Sequence, residues 1–145
     1  MNSRKPVLTL FATFGFAAAA AQAEPELSAP EALAAAQAGQ LKLVDIRTPE
    51  EWRQTGVAPG AARVNFYDPQ GPQGFAAKLL ETVGGDKDAP IGLICRVGNR
   101  TTRAQAYLHS LGFTRVYNVR EGMLGSAAGP GWLKRELPVE PCARC

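Results

Sequence analysis

The chain has 145 residues, 46% of them hydrophobic and 20% charged, with a formal net charge of +3. That length and balance suit one globular domain and leave little room for a second. No basic tract with interleaved aromatic residues occurs, which argues against a nucleic-acid partner.

Residues 1–23 read as an export signal rather than as part of the fold. Arg4 and Lys5 precede an apolar run from Val7 to Ala21, and Ala21-Gln22-Ala23 supplies the small-x-small pattern of a cleavage site. The run is short for a membrane anchor, and no later segment approaches spanning length. Removal would take Arg4 and Lys5 with it and bring the net charge close to zero. The expected location is periplasmic, with no membrane contact after cleavage, in a compartment where thiols tend to oxidise.

Beyond the signal, strands and helices alternate. Ser28 with Glu31 forms a capping box before an alanine-rich helix that stops at Gly39. Residues 41–46 are a short apolar strand, and Thr48, Pro49 and Glu51 start a second helix with another capping box. A turn precedes a strand near 62–66, and 68–74 reads as a loop. Phe75, Leu79, Leu80 and Val83 share one face of a helix over 75–85. Residues 86–90 are a loop and 91–95 a fully apolar strand. Ala104, Tyr107, Leu108 and Leu111 recur at helical spacing until Gly112, and 115–119 is a strand. Residues 121–129 read as a short helix. The alternation argues for an α/β fold, a parallel sheet with helices on both faces, over residues 28–140. Residues 141–145 form a Cys-x-x-Cys tail.

The most informative stretch is GLICRVGNRTTRAQAYLHSLGF, residues 92–113. In a parallel sheet, ligands bind outside the carboxyl ends of the strands. Cys95 ends one strand there, and Arg96, Val97, Gly98, Asn99, Arg100 and Thr101 form the turn into the next helix. Gly98 lets the chain wrap tightly, while backbone amides, a helix N-terminus and two guanidinium groups favour an anion. Such a cradle favours a thiolate over a thiol, and it can equally hold an oxyanion above the sulfur.

The loop CRVGNRT resembles the active-site loop of the rhodanese sulfurtransferases, Cys-Arg-x-Gly-x-Arg-Ser/Thr. The stretch LVDIRTPEEWRQTGVAPGAARVN is similar to that family's N-terminal signature, in the same order and at the same spacing. The resemblance runs from about Gln40 to Val119. It implies a rhodanese-like fold, no cofactor and no metal, and a persulfide relay through Cys95. The donor would be a small sulfur anion such as thiosulfate, and the acceptor cyanide, a thiol, or a periplasmic thiol-disulfide or sulfur-acceptor protein. Arg96 and Arg100 would orient the anionic donor, and the loop amides would stabilise the persulfide.

Loop length separates this reading from its nearest competitor. Tyrosine-phosphatase-type loops place five residues between cysteine and arginine, whereas here Arg96, Val97, Gly98 and Asn99 intervene. A phosphatase or arsenate reductase on the same fold is therefore the weaker alternative. A persulfide carrier that hands sulfur to one protein without turnover would carry the same loop. A buried structural thiol at Cys95 is disfavoured by the Arg-x-Gly-x-Arg that follows it.

Asp45 and Arg47, at another strand end, read as a structural ion pair and helix cap in preference to substrate contacts. Family members often carry a histidine in the turn where this chain has Val57 and Ala58. His109, the only histidine, falls on the exposed face of its helix, and Trp52 and Trp132 read as packing residues. The Cys142–Cys145 pair reads as a structural disulfide in an oxidising compartment, with a redox pair serving Cys95 as the sharper alternative. The usual C-terminal glycine and tryptophan spacing of the family is missing, which leaves the packing of that region open.

Overall fold

Two of the helix starts are built by the same device. Ser28 and Thr48 accept from the amides of Glu31 and Glu51, and each glutamate reaches back to the cap amide. The computed structural model, which describes residues 24–145, accordingly begins α1 at Ala29–Gln37 and α2 at Pro49–Thr55. The predicted export signal lies outside the described residues. The remaining elements are β1 (Lys42–Asp45), β2 (Ala62–Arg63), α3 (Gly71–Thr82), β3 (Ile91–Ile94), α4 (Asn99–Ser110) and β4 (Val116–Val119).

The four strands form one parallel sheet in the order β2-β1-β3-β4. From β1 the chain first moves to one edge and then returns to the other side through β3. The order therefore reverses between β1 and β3, the point beyond whose carboxyl ends open α/β sheets bind ligands. The register pairs Asp45 with Ile94 and with Arg63, so the residues after Asp45, Arg63 and Ile94 line one rim.

Strand alternation sorts the apolar residues onto two faces. Val44, Ile46, Ile91 and Leu93 point toward α3 and α4, and pack with Phe75, Leu79, Ala104 and Leu108. Leu43, Ile94 and Val119 face the other way, against Ala29 and Ala32 of α1 and against Met123 and Trp132. Ahead of α1, residues 25–27 run beside β4, with the Leu27 amide donating to the Asn118 carbonyl at 3.0 Å and the Asn118 amide to that of Pro25 at 3.0 Å.

Three local expectations are corrected. The stretch 68–74 is not wholly loop: α3 starts at Gly71, because Pro72 fits a first helical turn that needs no amide donor there. The Gln70 amide donates to the Asp68 carboxylate at 2.8 Å, which closes the preceding turn. The strand near 62–66 is only Ala62–Arg63. No helix forms over 121–129. Gly122 and Gly125 take φ values of 69° and 97°, outside the helical region, and the segment is a series of turns.

That region packs nonetheless. Trp132 is fully buried, and the Glu121 carboxylate accepts from the Ala29 amide at 2.6 Å, the Gly131 amide at 2.8 Å and Arg135 Nε at 2.9 Å. Burial works against that carboxylate's charge, but Arg135 and the two amides outweigh it and hold its pKa below the usual glutamate range. One carboxylate thus joins the start of α1 to the C-terminal segment.

Candidate active site

Cys95 follows β3 directly and lies at the point where the strand order reverses. Its side chain is 1% exposed. Sγ accepts the Gly98 amide at 3.2 Å and lies 3.5 Å from Thr101 Oγ1. The Thr101 hydroxyl donates to the Gly98 carbonyl at 3.0 Å, so its lone pairs face the sulfur while the thiol is neutral. Rotation of that hydroxyl would turn its proton toward a thiolate or a persulfide.

The loop is held from behind. Gly98 has φ 89°, and a Cβ there would run into the Arg120 carbonyl, so only glycine fits without displacement. The amides of Met123 and Leu124 donate to the carbonyls of Cys95 and Arg96 at 2.9 Å each. The turns after β4 therefore fix the loop backbone, and with it the amide that points at Sγ. Val97 and Asn99 are exposed on the outer side of the turn.

The two loop arginines have different surroundings. Arg96 is exposed and takes part in no ion pair among the described residues. Arg100 is committed: its two terminal nitrogens donate to the two Glu51 carboxylate oxygens at 2.7 Å each. Partial burial works against the charge on Glu51, but Arg100 and the amide and hydroxyl of Thr48 outweigh it and lower its pKa to about 2. Glu51 in turn raises the Arg100 pKa against burial, and negative charge on Cys95 acts in the same direction. The helix-capping glutamate of α2 thus anchors the start of α4 beside the sulfur.

A family model described as Rhodanese-like domain matches residues 28–128. The chain belongs to the rhodanese-like family. A sulfurtransferase of Allochromatium vinosum is 34% identical over 97 residues, covering 67% of this chain and 76% of that protein. Among solved structures, the rhodanese-like domain of an Anabaena protein superposes with a TM-score of 0.63 at 18% identity, over 83% of this chain and 82% of that one. A polysulfide-sulfur transferase homodimer from Wolinella succinogenes superposes at 0.62 and 23% identity, over 83% and 81%. The two superpositions show the shared fold, and the family match together with the Allochromatium vinosum relative supports a sulfurtransferase-family function.

Within this rhodanese-like domain, Asp45 and Arg47 form a buried ion pair at 2.8 Å, 0% and 1% exposed. Arg47 also donates to the Gly56 carbonyl at 2.9 Å and Thr55 Oγ1 at 2.8 Å, which ties the end of β1 to the end of α2. The partners of Arg47 all lie at the end of β1, in α2 or just after it, and the cap of that helix is Thr48. His109 is partly exposed and its Nδ1 lies 2.8 Å from the Glu24 carboxylate. Trp52 and Trp132 are buried.

A cleft of about 480 Å³ opens beside the site, lined by Phe66, Tyr67, Phe75, Arg103 and Tyr107 among others. Cys95 is not part of its wall. Arg100 and Arg103 lie over the rings of Tyr67 and Phe66, at 5.9 and 5.0 Å, so α4 connects the cleft to the loop.

At the C-terminus, Cys142 and Cys145 are joined in a disulfide. The tail reaches the carboxyl-end rim of the sheet, where Arg63 of β2 contacts both sulfurs. Sequence reading missed Glu51 as a partner of Arg100, Glu121 as a latch and Arg63 as the cation on the tail. Each contact joins residues 10 or more apart, up to 92. The Glu51 capping box was a visible signal for helix start only.

Proposed function

We propose that the chain is an exported, periplasmic sulfurtransferase that moves a sulfane sulfur from thiosulfate through a persulfide on Cys95 to cyanide or a thiol. The observation that carries this reading is Cys95 Sγ, buried at the sheet's switch point and facing the Gly98 amide at 3.2 Å. The thiolate attacks the outer sulfur of thiosulfate, the sulfur–sulfur bond of the donor breaks, and sulfite leaves with the bonding pair. Cyanide or a thiolate then attacks the outer sulfur of the persulfide, and the Cys95 thiolate is released. Each half-reaction is one displacement at sulfur, which is covalent catalysis divided into two steps.

Several features favour this chemistry. A nucleophile 1% exposed suits a small donor better than a bulky phosphorylated one. The Gly98 amide and, once rotated, the Thr101 hydroxyl supply neutral donors at Cys95 Sγ, the atom that regains negative charge when the outer sulfur is taken. Arg96 is the loop cation open to an anionic donor, because the charge of Arg100 is met by Glu51. In this division of labour Arg100 positions the loop, and Arg96 attracts thiosulfate.

The test is turnover of thiosulfate and cyanide by the purified mature chain. The reading requires stoichiometric thiocyanate and sulfite over many cycles, with parallel lines in a double-reciprocal plot as expected for a covalent intermediate. Hydrolysis of an aryl phosphate without thiocyanate formation would replace it with the phosphatase reading. Sequencing the N-terminus of the periplasmic protein tests export, and a mature chain beginning near Met1 would refute it.

A further inference from the structure

The sulfur relay leaves the Cys142–Cys145 pair without a task, yet the structure surrounds it with more than a stray crosslink needs. The tail is already fixed by other contacts. Val57 and Glu140 exchange backbone hydrogen bonds at 3.0 and 2.8 Å, and Trp132 Nε1 donates to the Pro138 carbonyl at 2.9 Å. Arg53 donates to the Cys145 carbonyl at 2.8 Å. A disulfide between residues three apart closes a very small loop, so it constrains the unfolded chain little. The tail's position rests on the other contacts.

The cation is placed for the reduced form. Arg63 Nη1 lies 2.8 Å from Cys142 Sγ and also contacts Cys145 Sγ, and its guanidinium is held 5.9 Å over the Trp52 ring. Disulfide sulfurs are weak acceptors, whereas a thiolate beside a guanidinium gains a charge-assisted hydrogen bond. Cys142 and Cys145 are half-buried among the exposed Pro141, Ala143 and Arg144, which leaves the pair within reach of another molecule.

The geometry points to Cys142–Cys145 as a thiol–disulfide exchange site that takes two electrons from a vicinal dithiol, with Arg63 holding the departing thiolate. A thiolate of the dithiol attacks one sulfur of the pair, and a mixed disulfide forms. The Cys142–Cys145 bond breaks and its electron pair leaves on the other cysteine, facing Arg63. The second thiol of the reductant, once ionised, attacks the mixed disulfide and frees the first cysteine. The reductant ends as a disulfide, the tail as two cysteines, and the two thiol protons pass to the cysteines or to solvent. Because thiolate stabilisation eases the leaving step and favours the reduced state, exchange depends on the charge at position 63.

The experiment uses the mature chain carrying Cys95→Ser, so that every thiol counted belongs to the tail and nothing depends on the sulfur relay. Equilibration against graded dithiothreitol redox buffers, followed by alkylation and mass measurement, gives the fraction reduced; a parallel arm uses reduced thioredoxin. The pair should reduce fully in the folded protein. Arg63→Gln should lower the reduction equilibrium constant about tenfold, equivalent to about 30 mV, and Arg63→Lys should restore most of it. Reduction in both arms assigns any accessible dithiol, and reduction by dithiothreitol alone assigns a small-molecule reductant. A pair that reduces only after unfolding in guanidinium chloride overturns the proposal. So does Arg63→Gln with unchanged equilibrium and rate.

Discussion

The molecule places cysteine sulfur at two points on one rim, and it surrounds them by opposite means. Cys95 is sealed, 1% exposed, and served by a backbone amide and a hydroxyl that a rigid turn holds in place. Cys142 and Cys145 are half-buried at a chain end and served by one long cationic side chain from β2. Neutral fixed donors suit a sulfur whose charge must be stabilised without attracting a permanent counterion, so that a persulfide can form and be removed. A guanidinium suits a thiolate that has only to leave. What separates the two sites is therefore less the cysteine than the rigidity and charge of its surroundings.

The largest effect should come from removing the sealed sulfur. Cys95→Ser should cut thiocyanate formation by on the order of a thousandfold or more, because a hydroxyl in that cradle neither ionises comparably nor carries a sulfane sulfur. Changing Cys142 and Cys145 together to Ala should leave the same assay within about a factor of two or three, a contrast that steady-state kinetics on both variants measures directly. Near-total loss in the double variant, with circular dichroism unchanged, would merge the two sites into one mechanism.

Disturbing the rigid turn should matter next. Gly98→Ala forces a side chain into left-handed backbone against the Arg120 carbonyl. The backbone conformation alone costs about 1–2 kcal/mol, and the clash adds to it. The expected outcome is a lower Tm together with a turnover loss of about ten- to a hundredfold, since the displaced amide is the one facing Sγ. Full activity in a stable Gly98→Ala protein would show that the Gly98 amide contributes nothing to catalysis.

The smallest effect concerns the ion pair that steadies the loop. Glu51 has a folded pKa of about 2, below its ordinary value of 4.5. The unfolded chain therefore binds more protons in that interval, and the stabilisation is present above about 4.5 and lost as pH falls toward about 2. Solvent screening of this partly exposed pair keeps it at about 1 kcal/mol. Denaturant titrations of wild type and Glu51→Gln should differ by that amount at neutral pH and converge near pH 2. A difference that persists at the acid end would assign the loss to packing rather than charge.

Much of the fold was legible because its signals are local. Ser28 with Glu31 and Thr48 with Glu51 mark helix starts within four residues, and the apolar runs 41–46 and 91–95 mark buried strands. Cys95 and the turn after it were legible for the same reason. The start of α3 was not, since Gly71 and Pro72 signal a turn and a first helical residue equally well. The short helix over 121–129 failed because Gly122 and Gly125 adopt positive φ to let the segment fold back on the loop. The pairing of Arg100 with Glu51 and of Arg63 with the tail was illegible in principle. A charged residue announces its charge, whereas its partner is chosen by the folded chain across 49 or 79 positions.

The central claim, that Cys95 carries the transferred sulfur, is met most directly by mass spectrometry of the protein after thiosulfate treatment. The peptide containing Cys95 should gain the mass of one sulfur atom, lose it on addition of cyanide, and show no gain in Cys95→Ser. An unmodified Cys95 peptide, with the added sulfur found instead on Cys142 or Cys145, would contradict the account.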